Sequence, residues 1–199
     1  KSLFIIFISF VFCLPVVVPY YKLSYEFNYT RDIREAIHFA LQPQDLLYPN
    51  QYTRLQNDLV KIFPVNVHFK SGYLGFAFSI LSIITLVYFF TRFKKKDFIF
   101  NSFGTIAVFG LIMSFGPALH WNGKTIHEPF PIILPYTLFY YIFPGFQGFR
   151  NSARWEMLFV LMMALAASML LFKLLKKLSP VKRSLIYIIL MGLIIVEYN

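Results

Sequence analysis

Hydrophobic positions fall in five long runs separated by short polar segments, and the runs set the expected architecture. They are Leu3–Pro19, Gly72–Thr91, Phe98–Phe115, Trp155–Phe172 and Leu185–Tyr198. Each is close to all-apolar, without the alternation of a half-buried strand, so each predicts a helix in a membrane or a core. The resulting plan is all-α: transmembrane helix 1 over residues 1–19, helix 2 over 72–91, helix 3 over 98–116, helix 4 over 155–172 and helix 5 over 185–199. The last run has 14 residues. That is about 21 Å of helix, short of a hydrocarbon core about 30 Å thick. The chain begins with Lys1 and ends at Asn199, and the reading is that it was cut from a longer protein whose missing helices pack against these.

One apolar stretch does not fit the spanning pattern. Pro129–Glu156 carries Pro129, Pro131, Pro135 and Pro144 and ends in Arg150 and Arg154. Proline removes a backbone donor and clashes with the preceding turn, and broken backbone survives at membrane depth only where protein or water covers it. The stretch therefore reads as a re-entrant or interfacial segment within an extracytoplasmic region over 117–154, turning at Pro144–Gly145 and delivering two arginines to the headgroup level. Between the first two spans lies the other polar region, 20–71. Within it Thr30 is placed to cap a short helix, RDIREAIHFALQ, closed by Gln42-Pro43. Ile33, Ala36, Ile37, Ala40 and Leu41 share one face of that helix, which lies on the membrane or on the outer ends of the spans.

Composition agrees with a polytopic membrane protein. The chain is 58% hydrophobic and 20% aromatic, against about 45–50% apolar in soluble domains. Its formal charge of +10 then points to anionic headgroups and positive-inside loops, not to nucleic acid. Nine of the nineteen Lys and Arg lie in two short segments, 92–97 and 173–184. Both are assigned to the cytoplasm, which puts the 20–71 and 117–154 segments outside. Cys13 is the single cysteine, so no intrachain disulfide forms. The triplet Asn28-Tyr29-Thr30 fits a glycosylation sequon and is read as chance.

The residues with most chemical content are His120, Lys124, His127, Arg150 and Arg154, all on the outer side beside broken apolar chain. A guanidinium fork matches phosphate oxygens, and lysine binds phosphate as a point charge. Arg150, Arg154, Lys124 and His120 are the candidate ligands of a lipid phosphate. The bland alternative is that the arginines only snorkel to bulk headgroups. His127 and Glu128 stand side by side, but HExxH, CxxC and DxD are all missing, and no metal site is assigned. Glu156 is expected to pair with a basic neighbour, and Glu197 to lie at the outer interface. Asp32, Glu35, Asp45 and Asp58, among Arg31, Arg34, Arg54 and Lys61, read as a solvated mixed-charge surface. Met157, Met162, Met163 and Met169 read as packing.

Several local strings together resemble a known superfamily. They are Gln42-Pro43-Gln44-Asp45-Leu46-Leu47-Tyr48-Pro49, Gly72-Tyr73-Leu74-Gly75, Ser114-Phe115-Gly116-Pro117, Leu134-Pro135-Tyr136, Phe143-Pro144-Gly145-Phe146 and Phe149-Arg150-Asn151-Ser152-Ala153-Arg154-Trp155. In that order the chain resembles the later half of large, mostly uncharacterised prokaryotic membrane proteins related to the GT-C glycosyltransferases. The resemblance implies an enzyme that takes a sugar from a polyprenyl-phosphate donor at the outer face. It places the catalytic acid in a first outer loop near the N-terminus, so the catalytic residues of this chain are unknown. It implies no cofactor in this fragment, and leaves a divalent metal to the full-length protein. Some relatives carry an acid just before the Tyr-Leu-Gly; here the residues are His68-Phe69-Lys70-Ser71-Gly72. Two other classes of function fit the same pattern: a transporter or flippase of a lipid-linked glycan, and a non-catalytic envelope assembly protein.

Overall fold

The computed structural model describes residues 31–47, 72–92, 97–121, 124–126, 132–143 and 146–198, with parts of 11–27. Most of the first run, Cys13, Asn28–Thr30, the 48–71 loop, Lys94–Lys96, His127–Pro131 and the Pro144–Gly145 turn lie outside the described residues. The described elements are α1 (Ile33–His38), α2 (Phe76–Arg92), α3 (Phe98–Ser114), β1 (His120–Trp121), β2 (Lys124–Thr125), α4 (Pro135–Ile142), α5 (Glu156–Leu175) and α6 (Pro180–Tyr198). The protein is mostly helical, as the apolar runs predict.

The centre is the antiparallel pair α3 and α5, with α2 packed beside α5. Small side chains bring the two backbones together. Ala107, Ala166 and Ala167 are fully buried. At Gly110 a β-carbon would stand 2.9 Å from the Phe159 nitrogen and 3.1 Å from the Trp155 oxygen, closer than real contacts. Close approach through small residues is how helices associate where lipid replaces water. Two apolar layers fill the bundle. Leu74, Ala107, Phe159 and Met163 form one, and Phe89, Phe100, Ala166 and Leu170 the other.

Ser152–Leu175 is a continuous 24-residue helix whose first turn is 3-10, and it is long and apolar enough to cross a membrane. It spans about 36 Å. The apolar helices α2 and α3 have 17 residues each, about 25 Å. Several boundaries differ from expectation. The second helix starts at Phe76 and not at Gly72, after Gly75 with a left-handed φ of 84°, and the fourth runs on to Leu175. The third run ends at Ser114, because Gly116 takes a left-handed φ of 70° that stops the helix. The fourth begins at Ser152, capped by the Asn151 side chain, which accepts from the Ala153 N–H at 3.0 Å. The fifth is longer than its apolar part: α6 starts at Pro180, a residue suited to a first turn, and takes in Lys182 and Arg183. Its 19 residues reach about 28 Å, close to a hydrocarbon core.

Arg92 at the end of α2, Asp97 before α3 and Lys173 near the end of α5 lie at one end of the bundle. Lys173 at the foot of α5 pairs with Asp97 at the foot of α3, and its ammonium stands 5.5 Å from the Phe100 ring centroid. At the opposite end Glu197 has a specific role. Its carboxylate accepts from the Phe76 N–H, from the Ala77 N–H at 3.3 Å and from the Tyr73 hydroxyl at 2.5 Å. It thus caps α2 from α6, where a negative charge meets the positive end of the helix dipole. Glu197 is 7% exposed, and the other α6 side chains described are half-buried or exposed.

The described parts of the 31–47 and 117–151 segments form a cap over the Ser114 end of α3. Within the interfacial stretch, α4 is eight residues long with Pro135 in its first turn, about 12 Å and far too short to span. Tyr136 and Tyr140 face inward, while Leu138, Tyr141 and Ile142 are exposed. The apolar face of α1 lands on the helix ends: Ala36 joins Met113, Tyr136 and Tyr140 in a cluster bordered by Phe146 and Trp155. The helix is shorter at both ends than expected. Its cap is Asp32, whose carboxylate accepts from the Arg34 N–H at 2.9 Å. It stops at His38, because Leu41 gives its N–H to Ser114 O at 2.9 Å instead of continuing the helix.

Candidate functional site

The cap is assembled where α1, the turn at Gly116, α4 and the start of the long helix meet. Ser152 donates its hydroxyl to Ala36 O at 3.0 Å, tying the start of the long helix to α1. Gly116 fits between them; a β-carbon there would lie 2.7 Å from Ala40 Cβ and 2.8 Å from Ser152 Oγ. Tyr140 donates its hydroxyl to Arg31 O, and the Arg31 N–H bonds Gln147 O at 3.3 Å. Arg31 is therefore held by its backbone to both α4 and the 3-10 turn Phe146–Gly148.

These anchors bring Arg31 and Arg150 to one carboxylate. Glu35 Oε2 is 3.0 Å from Arg31 Nη1 and 3.8 Å from Arg150 Nε. The Arg150 guanidinium lies 4.5 Å from the Phe39 ring centroid, a cation–π distance. Its side chain is still 59% exposed. Arg154 is exposed on the turn Ser152–Trp155, and among the described residues no carboxylate pairs with it. Phe149, half exposed, precedes Arg150, and its ring meets Phe146, which meets Phe139, on which the half-exposed Phe143 stacks.

The other two candidates sit elsewhere. Lys124 is exposed on β2, and His120 is buried on β1; the two strands pair as a small antiparallel hairpin where the sequence predicts only a loop. The His120 ring is engaged on both sides, Nδ1 with Ala118 O at 2.6 Å and Nε2 with Thr125 Oγ1 at 2.9 Å. That pattern fits a neutral ring donating from Nδ1 and accepting at Nε2, and both nitrogens are used within the hairpin. The hairpin packs beside the 3-10 turn Pro43–Leu46, whereas Arg150 faces α1. His127 and Glu128 lie outside the described residues.

Two acids differ from their expected surroundings. Asp45 is not solvated: it is 4% exposed and accepts from the Gln42 N–H at 2.9 Å, closing the turn Pro43–Leu46. Glu156 is partly buried, and the charge it feels is that of Asp45, an acid and not a base. Among the described residues no cation pairs with it, and no group of three or more His, Cys, Asp or Glu is placed to hold a metal ion.

Arg31 was legible only in part. Arg31 and Glu35 are four apart, the spacing of a helical ion pair, but nothing in the sequence places that pair next to Arg150. Asp45 three residues after Gln42 has the spacing of a capping box, which was the available signal for its burial.

The aromatic interior of the cap carries a testable titration. Burial, and then the neighbouring Tyr140, push the Tyr136 phenol up to about 12 from its ordinary 10. The neutral phenol is thus favoured in the folded state. Its contribution to stability is full below pH 10 and is lost as the pH rises from 10 towards 12. Tyr136→Phe is expected to move alkaline unfolding of the cap to higher pH, followed by tryptophan fluorescence of Trp155, which borders the same cluster.

No protein-family model, curated protein or solved structure matches the chain.

Proposed function

We propose that the chain is a polytopic membrane protein with five spans, belonging to a larger glycosyltransferase-like protein of the outer membrane face, and that its cap recognises the phosphate of a polyprenyl-phosphate-linked sugar. The observation that carries this reading is the Arg150 guanidinium, more than half exposed, next in the chain to the half-exposed Phe149, whose ring continues through Phe146 and Phe139 to the half-exposed Phe143. A lipid phosphate requires that combination: a planar, permanently charged donor for the head and apolar contact for the tail. The remaining support is the sequence resemblance and the run of Lys and Arg in the sequence segments 92–97 and 173–184, which the positive-inside rule assigns to the cytoplasm. Arg154 is taken as the second cation of the site and Lys124 as a peripheral one, while His120 serves the hairpin.

The test is binding of a polyprenyl-phosphate sugar to the full-length protein in nanodiscs. Changing Arg150 and Arg154 together to Ala is expected to weaken binding at least tenfold, since charge-assisted hydrogen bonds contribute about 1.5–3 kcal/mol each. Unchanged affinity would show that the arginines meet only bulk headgroups.

A further inference from the structure

Away from the cap, the turn between α5 and α6 carries a concentrated positive charge. Lys173, just before it, is matched by Asp97. Lys176, Lys177 and Lys182 are exposed, and among the described residues no carboxylate pairs with them or with Arg183. The turn that holds these cations is ordered: the Leu178 N–H donates to Leu175 O at 3.0 Å and the Arg183 N–H to Ser179 O at 3.1 Å. The Arg183 guanidinium is underused as a donor. Its Nη2 reaches Leu178 O at 3.5 Å, the outer limit of a hydrogen bond, and its Nε is buried without a hydrogen-bond partner.

Beyond the turn, α6 is apolar and open. Every described side chain from Leu185 to Val196 is half-buried or exposed, and a β-carbon at Gly192 would meet nothing within 4 Å. The helix is fastened at its two ends, by the turn to α5 and by Glu197 to α2. An apolar helix this open needs hydrocarbon around it. The ten residues from Lys182 to Gly192 rise about 15 Å, half of a hydrocarbon core about 30 Å thick. The open face is thus as long as one leaflet, and the cations stand at its headgroup level. Cations beside an apolar face match a lipid whose phosphate is its only charge, whereas a zwitterionic headgroup brings an ammonium that they repel.

We propose that the α5–α6 hairpin is a binding site for an anionic phospholipid, with the phosphate held by Arg183 and Lys182 and an acyl chain lying along the open face of α6. Lys176 and Lys177 add attraction from the end of α5. The site is separate from the phosphate role given to Arg150 and stands or falls without it. It depends only on α6 lying in a membrane.

The experiment uses the full chain in phosphatidylcholine vesicles. The probe is a trace of phosphatidylglycerol or of phosphatidylcholine, each with the same photoreactive acyl chain, and the readout is the yield of crosslinked peptide from α6. Phosphatidylglycerol is expected to label α6 about fivefold more, the factor that one cation near an anionic surface contributes. Lys182→Gln with Arg183→Gln is expected to bring the ratio close to one, while Lys182→Arg with Arg183→Lys, which keeps both charges, retains it. Removing the same charge from the other basic segment, by Lys94→Gln with Lys95→Gln, is expected to leave most of the preference. Equal labelling by the two probes in the parent chain would overturn the site. Equal losses from the two Gln pairs would also overturn it, since they would mean diffuse attraction by all the basic residues. Release of the phosphatidylglycerol probe by excess soluble glycerol phosphate would do the same, because that anion has no chain for α6 to cover. Disulfide-linked dimers of a Gly192→Cys, Cys13→Ser chain would give the open face to a second copy, against the proposal; monomers with the lipid preference intact support it.

Discussion

Gly116→Ala is expected to destabilise the cap by about 2–5 kcal/mol. Two costs add at this position. The backbone φ of 70° is one that residues with a β-carbon adopt only with strain. The added carbon would also lie 2.7 Å from Ala40 Cβ and 2.8 Å from Ser152 Oγ. Ser152 is fully buried and holds Ala36 O, so it has nowhere to move without breaking the bond that fastens α1 to the long helix. The α3–α5 contact lies below this junction and does not depend on it. The variant should therefore keep its helical content, lose protection of the Arg31–Leu47 segment against limited proteolysis, and lose phosphate-lipid binding with it. A Gly116→Ala protein with an unaltered cleavage pattern would mean that α1 is held by something other than this junction.

Glu197→Ala is expected to free α6 from α2. The carboxylate satisfies the Phe76 and Ala77 N–H groups and the Tyr73 hydroxyl together. Its removal takes the charged acceptor away from the Phe76 and Ala77 N–H groups in the first turn of α2. Loss of a helix cap alone costs about 0.5–2 kcal/mol, and charge-assisted bonds raise that figure. The consequence is structural because Glu197 is the buried residue through which α6 meets α2. A cysteine pair at Phe76 and Val196 should crosslink in the parent background and lose most of its crosslinking once Glu197 is Ala. Glu197→Gln should lie between, since it retains hydrogen-bonding capacity but not the charge that faces the helix dipole. Equal crosslinking in all three would remove the cap from its proposed role.

The apolar runs made the helices legible because lipid and core impose the same requirement on every residue of a span. Their ends were less legible. A helix end is decided by one cap or one glycine, and Gly116, Asn151 and Pro180 shift the boundaries by one to five residues against the apolar limits. Pro135 illustrates the point in the other direction: read as a breaker, it opens α4 at a position where a proline costs nothing. Of the candidate site, Arg150 was legible as a cation beside broken apolar chain. Its partners were not, because Glu35 and Phe39 are more than a hundred residues away in sequence and meet it only when α1 lies across the ends of α3 and α5. The setting of His120 was not legible for a related reason: Thr125 and Ala118 engage it through a hairpin too short to have a strand signature.

The claim on which the functional reading depends is that the cap faces the outside while the basic ends face the cytoplasm. Single cysteines at Arg34 in the cap and at Lys177 beyond α5, in a chain whose Cys13 is replaced by Ser, test it with a membrane-impermeant maleimide on intact cells. Both positions are exposed. Labelling of the Arg34 position in intact cells, with the Lys177 position labelled only after permeabilisation, is the predicted result. Labelling of both positions from the same side, or the reverse order, would contradict it and remove the cap from the face where lipid-linked sugars are proposed to bind.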